Sequence, residues 1–180
     1  MTIRTIGHST HPIERFVELL KAGGVALLVD VRSTPYSRRH PQFGKERLAR
    51  SLEAAGIGYA WEGAALGGKG AGYNDAAARP AFQEAISRLI ARDTAGTAVC
   101  LMCAEKEPLE CHRTVLVSRR LAERGAEVAH LLADGGTRDH RTVEETLLAK
   151  LGGGDLFEDR AQLLARAYDA RERAMKGGAA

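Results

Sequence analysis

The sequence is short of aromatic residues, short of cysteine, without a long apolar stretch and without a strong surplus of either charge. Each shortage excludes something. Its longest apolar runs, Val25–Val29 and Ala98–Ala104, fall well below the roughly 20 residues of a membrane-spanning helix, so no membrane association is expected. Three cysteines cannot all pair within one chain, which excludes a scaffold built on disulfides. Met1–Thr10 carries no secretory segment, so free thiols and a reducing, cytoplasmic setting are expected. Lys and Arg total 26 against 23 Asp and Glu, a net charge of +3. That surplus is too small for bulk nucleic-acid binding, though it leaves room for a local basic patch. No repeat and no second core is visible. What is there, 44% hydrophobic and 27% charged residues over 180 positions, is the composition of one globular domain.

Two kinds of segment alternate along the chain. Short apolar runs occur at Ile3–Gly7, Ala26–Val31, Gly58–Trp61, Ala98–Cys103 and Glu127–Leu132. Between them apolar residues recur at helical spacing, first at Ile13, Phe16, Val17 and Leu20, then around Leu48, Leu52 and Ala55. Two more helices are marked by Phe82, Ile86, Leu89 and Ile90, and by Val117, Leu121 and Ala122. Pro12 suits the first position of a helix, and Gly23, Gly56 and Gly125 fall where helices should stop. Strand–helix alternation predicts an α/β fold, a mostly parallel five-stranded sheet with helices on both faces. Residues 1–151 form this domain. A break at Gly152-Gly153-Gly154 leads into a C-terminal helical extension over residues 152–180, amphipathic from about Leu156 to Met175 and frayed beyond. Two long loops, Ser33–Phe43 and Glu62–Arg79, interrupt the alternation and are candidates for function.

Ligands of parallel sheets bind beyond the carboxyl ends of the strands. Those ends carry His8 and Ser9, then Asp30, Arg32 and Ser33, then Gly67, Gly68 and Lys69, then Cys103 and Glu105 with Cys111, His112 and Arg113 opening the next helix. His130 falls in or at the end of the fifth strand. The two cysteines carry the sharpest chemistry, because a thiolate is the reactive form and cations or helix amino termini favour it. Cys103 or Cys111 would be the nucleophile, with His112 or His8 as base. Cys100 sits mid-strand and reads as a small buried hydrophobe. Zinc on Cys103, Cys111 and His112, with His8 or Glu105 as a fourth ligand, is the competitor. The C-x7-C-H spacing matches no compact zinc knuckle, and no metal or other cofactor is expected. Asp30 and Arg32 share a strand face, so either Asp30 orients a basic group while Arg32 meets an anion, or the two belong to a buried ion pair. Arg38, Arg39, His40 and Arg47 form a basic cluster. The glycines around Lys69 could bring backbone amides to a phosphate, but Gly70 after Lys69 excludes a nucleoside-triphosphate P-loop.

Taken together, Thr5-Ile6-Gly7-His8-Ser9, Asp30-Val31-Arg32-Ser33-Thr34-Pro35-Tyr36-Ser37, Leu66-Gly67-Gly68, Cys103-Ala104-Glu105 and Cys111-His112-Arg113 resemble the signature of the domain of unknown function 488 family, over roughly residues 3–132. The resemblance implies a bacterial or archaeal cytoplasmic α/β protein. By position it carries over His8, Ser9, Asp30, Arg32, Ser33, Gly67, Gly68, Cys103, Glu105, Cys111, His112 and Arg113 as motif residues. More distantly, Leu28-Val29-Asp30-Val31-Arg32 is similar to a strand motif of rhodanese sulfurtransferases, which also place a reactive cysteine after their fourth strand. Their cysteine loop is shorter than the stretch from Cys103 to Arg113.

Three functions follow as expectations. The first is a thiol-dependent transferase or hydrolase acting on a small anionic or nucleotide-like substrate. In it Cys103, Cys111, His112, His8 and Asp30 are catalytic, and Ser9, Arg32, Ser33, Gly67, Gly68, Lys69, Glu105 and Arg113 hold the substrate. The second is a nucleic-acid-binding or processing protein using the Arg-rich loop. The third is a non-catalytic anion-binding domain.

Overall fold

The structure, a computed structural model, describes residues 2–70, 72–152 and 159–177. Five parallel strands build the sheet: β1 (Thr2–Gly7), β2 (Leu27–Asp30), β3 (Gly58–Trp61), β4 (Val99–Cys103) and β5 (Glu127–Leu131). A sixth, β6 (Thr137–Asp139), pairs antiparallel with β5, giving the order β3-β2-β4-β1-β5-β6. The apolar runs alone predict five strands. β6 is Thr-Arg-Asp with all three residues exposed, so it has no apolar run to announce it. Its pairing follows from a tight return, in which the Leu132 amide donates to the Gly136 carbonyl at 2.8 Å.

Helices cover both faces. Helix α1 (Ile13–Ala22) and helix α2 (Lys45–Ala54) lie on one face, where Phe16, Leu20, Leu48 and Leu52 pack on Ile6, Leu28, Cys100 and Met102. The other face is covered by α5 (Pro80–Thr94), α6 (Arg119–Glu123), α7 (His140–Leu151) and α8 (Arg160–Gly177). The period-two alternation of the strands produces this division: in β4, Cys100 and Met102 point one way, Leu101 and Cys103 the other. Helices α1 and α2 end where Gly23 and Gly56 stand, and Gly56, at φ 75°, has the left-handed backbone that closes such an end.

The second long loop is not open coil. It folds into two short helices, α3 (Gly63–Leu66) and α4 (Tyr73–Ala78). The helix marked by Val117 and Leu121 opens with a π-helical turn, Arg113–Ser118, before α6. Part of the expected tail helix, residues 156–158, lies outside the described residues. The remainder, α8, is held to the domain by Ala167 and Tyr168, buried against the core that holds Val143 and Leu147. Among the described residues no helix is long and apolar enough to cross a membrane.

Strand order decides where a ligand can enter. From β1 the chain moves to β2 and β3 through helices on one face. From β3 it returns to β4 and then β5 through helices on the other face. The crossovers therefore diverge at the neighbours β1 and β4, and such a switch point leaves a crevice beyond their carboxyl ends.

Candidate functional site

The pairing of β1 with β4 runs past the strands. The His8 amide donates to the Cys103 carbonyl at 2.8 Å, and the Ser9 amide donates to the Ala104 carbonyl at 2.9 Å. Gly7 permits this approach: a Cβ there would fall on the Glu105 carbonyl oxygen. Ser9 is the one non-glycine residue with positive φ, 47°, among the described residues, a conformation that costs on the order of 1–3 kcal/mol and that clusters at ligand sites.

Beyond these ends three reactive groups converge. After β4 a 3-10 turn, Pro108–Glu110, leads to Cys111, whose backbone is extended, while His112 is the first helical residue. This break lets two sequence neighbours face the same point. His112 Nδ1 lies 3.4 Å from the Cys103 sulfur and 4.0 Å from the Cys111 sulfur. The three ligand atoms fall within 4.8 Å of one another, so together they could hold a metal ion. His112 Nε2 is 2.9 Å from the Val31 carbonyl oxygen. A carbonyl only accepts, so Nε2 carries a hydrogen, and Nδ1 is the nitrogen that exchanges a proton with the sulfurs. Gly68 packs against the ring, since a Cβ there would stand 2.6 Å from His112 Cβ.

The electrostatics separate the two thiols. Burial pushes the Cys111 thiol up, but the bond from Cys103, the Arg113 guanidinium and His112 outweigh it and hold Cys111 well below the ordinary range. The bond to Cys111, followed by burial, pushes Cys103 well above that range. Burial pulls His112 down, and the Cys111 sulfur and Val31 carbonyl more than offset it, so its value rises. Between the two sulfurs the proton is thus favoured on Cys103 and the negative charge on Cys111, beside His112.

Cys103 and Cys111, both buried, line a pocket of about 850 Å³. Its wall holds Arg38, Arg39, Lys69 and Lys106, against two carboxylates, Glu105 and Glu110. Tyr36, 68% exposed, stands on the same rim. This is a cationic, partly apolar recess with two thiols along its lining.

A model of the family Domain of unknown function DUF488 matches residues 12–120. The chain belongs to that family. No curated protein and no solved structure matches the chain. The likeness to rhodanese sulfurtransferases finds no support in these comparisons.

In this DUF488 chain the residues singled out by sequence do not all reach the pocket. Cys103, Cys111, His112, His8, Ser9, Arg32, Ser33, Gly68, Lys69 and Glu105 line it. Arg113 does not. It is fully buried, its guanidinium donating to the carbonyls of Glu105 and Lys106. It braces the cysteine loop and biases Cys111 toward thiolate, and it has no face for a substrate. Gly67 likewise packs under the site, against Ser33 and the Gly63 carbonyl.

Asp30 and Arg32 pair with each other. Arg32 Nη2 and Nε donate to the two Asp30 carboxylate oxygens at 2.6 and 2.9 Å, and Nη2 also donates to the Phe43 carbonyl. The Arg32 amide and the Tyr59 hydroxyl also donate to the Asp30 carboxylate, at 3.1 and 2.9 Å. The Arg32 charge is thus largely spent inside the protein. Arg32 Nη1 faces His8 Nε2 at 3.3 Å, while His8 Nδ1 donates to the Ser9 carbonyl. Both His8 nitrogens are engaged, and burial above all lowers its value to about 4. His8 is a neutral wall of the pocket, stacked on Phe43, and is not placed as the base or as a fourth metal ligand. His130 turns away from the pocket altogether and bonds Thr5 and His140.

Sequence reasoning missed the contribution of the tail. Met175 of α8 lines the pocket, Glu172 accepts from the Tyr73 amide at 2.8 Å, and Arg171 donates to the Leu109 carbonyl at 2.6 Å. The only sequence signal was the amphipathic spacing, which says that a helix is covered but not by what. Tyr36 stands out in the sequence only inside the family signature and Lys106 carries no signal there, yet both line the pocket.

Proposed function

We propose that this protein is a thiol-dependent enzyme that acts on a small anionic substrate, with Cys111 as nucleophile and His112 as its proton partner. One observation carries the reading: a single fixed imidazole nitrogen stands between two sulfurs at the base of a cationic pocket. Val31 holds the ring, Gly68 lets the loop close on it, and Arg113 supplies positive charge from below. Arg38, Arg39, Lys69 and Lys106 suit an anionic substrate, and they are exposed enough to release a product. A nucleophile attacking from Cys111 would take up the substrate's electrophilic group, and the His112 proton would go to the leaving group. Free thiols fit a reducing cytoplasmic setting.

The test is site-resolved alkylation with iodoacetamide. Cys111 should be modified first, faster at pH 7 than an exposed model thiol, and an added polyanion should slow it. Cys111 reacting no faster than Cys100 would refute the reading.

A second reading rests on Tyr36, exposed on the rim beside Arg38 and Arg39. An aromatic face among arginines is what single-stranded nucleic acid uses for base stacking and phosphate contact. Gel shifts across a salt series test it: absence of binding at low salt removes it.

A further inference from the structure

The mechanism above uses one sulfur, but the site holds two. We infer that Cys103 and Cys111 work as a dithiol–disulfide couple that reduces the disulfide of an anionic thiol. This rests on the nucleophile reading and adds a role for Cys103. A single-thiol nucleophile needs one base beside one sulfur. Here the same His112 nitrogen faces both, at 3.4 and 4.0 Å. That arrangement serves two successive displacements. The two cysteines also differ in setting. Cys103 ends a central strand, Cys111 stands between a 3-10 turn and a π-helical turn, and their sulfurs lie within 4.8 Å of each other. Cys103 and Cys111 both line the pocket, whose Arg38, Arg39, Lys69 and Lys106 suit the carboxylates of a small thiol.

The steps balance. The Cys111 thiolate attacks one sulfur of the substrate disulfide, that bond breaks, and the departing thiolate takes the proton held by His112. A mixed disulfide remains on Cys111. The Cys103 thiol then gives its proton to His112 Nδ1 and attacks the Cys111 sulfur. The mixed disulfide breaks, and the second thiol leaves with that proton. The substrate gains two electrons and two protons, and the protein's two thiols lose them as they become a disulfide.

Oxidised glutathione is the probe, read by intact mass and peptide mapping of the reduced full chain. The expected result is loss of two hydrogen atoms, a Cys103–Cys111 disulfide and stoichiometric release of reduced glutathione. Cys103→Ser should stop at the mixed disulfide on Cys111, and Cys111→Ser should give neither product. A wild-type protein that halts at the mixed disulfide, or that resists glutathione while iodoacetamide still modifies Cys111 rapidly, overturns the couple and leaves the nucleophile. Slow alkylation of Cys111 overturns both. So does stoichiometric zinc that protects both thiols until it is chelated.

Discussion

Acid should unfold this protein through its buried histidines. His8 and His140 are each held at about 4 against an ordinary 6.5, chiefly because burial disfavours their charged form. His130, also buried and facing His140, is lowered well below its ordinary value, by burial first. The folded state therefore binds fewer protons than the unfolded chain between about pH 6.5 and 4, so stability must fall as pH falls through that window. By about pH 5 each group with a value near 4 costs about 2 kcal/mol, and His8 and His140 together about 4 kcal/mol. That is a large share of the roughly 5–15 kcal/mol that holds a domain folded. Glu105 and Glu144, raised by burial, and His112, raised by Cys111 and Val31, act in the opposite sense as they take up protons and so oppose the loss. The assay is the urea midpoint at several values between about pH 7 and 5, with the slope of stability against pH compared in His140→Gln. That variant loses the contacts to His130 and Tyr168, so it starts lower. Its slope should nevertheless be shallower by up to about 1.4 kcal/mol per pH unit. A midpoint that does not move from pH 7 to 5, or an unchanged slope in the variant, would refute the reasoning.

Other perturbations probe the site. Asp30→Asn removes the countercharge of buried Arg32 and should cost about 3–5 kcal/mol, seen as a lower urea midpoint. Gly68→Ala puts a methyl group against the His112 ring and should return Cys111 toward ordinary alkylation rates while the far-ultraviolet circular dichroism stays native. Arg38→Ala with Arg39→Ala, both exposed on the rim, should weaken protection of Cys111 by polyanions about tenfold or more without changing stability.

Much of the site was legible because strand ends are. Apolar runs locate the strands, parallel pairing brings their carboxyl ends to one edge, and polar residues at that edge stand out. Facing was less legible. Arg113 follows two pocket residues and looks like a third, but on a helical turn successive side chains diverge by about 100°, which sends it inward. Cys111 and His112 escape that divergence only because the helix begins between them. His130 shares a sheet edge with the site yet lies beneath α7 and α8, and no local pattern tells where a tail helix will dock. β6 is set by a turn and by hydrogen bonds and has no apolar period to find.

Cys103, Arg113 and His112 hold the Cys111 thiol well below its ordinary range, and the nucleophile reading turns on this shift. Thiolate absorbance near 240 nm, followed against pH in the reduced native protein, measures it directly. The account predicts one thiolate that titrates well below the ordinary thiol range, that vanishes in Cys111→Ser and that shifts upward in Cys103→Ser. A first thiolate that forms only in the ordinary range, or one that persists without Cys111, would contradict it.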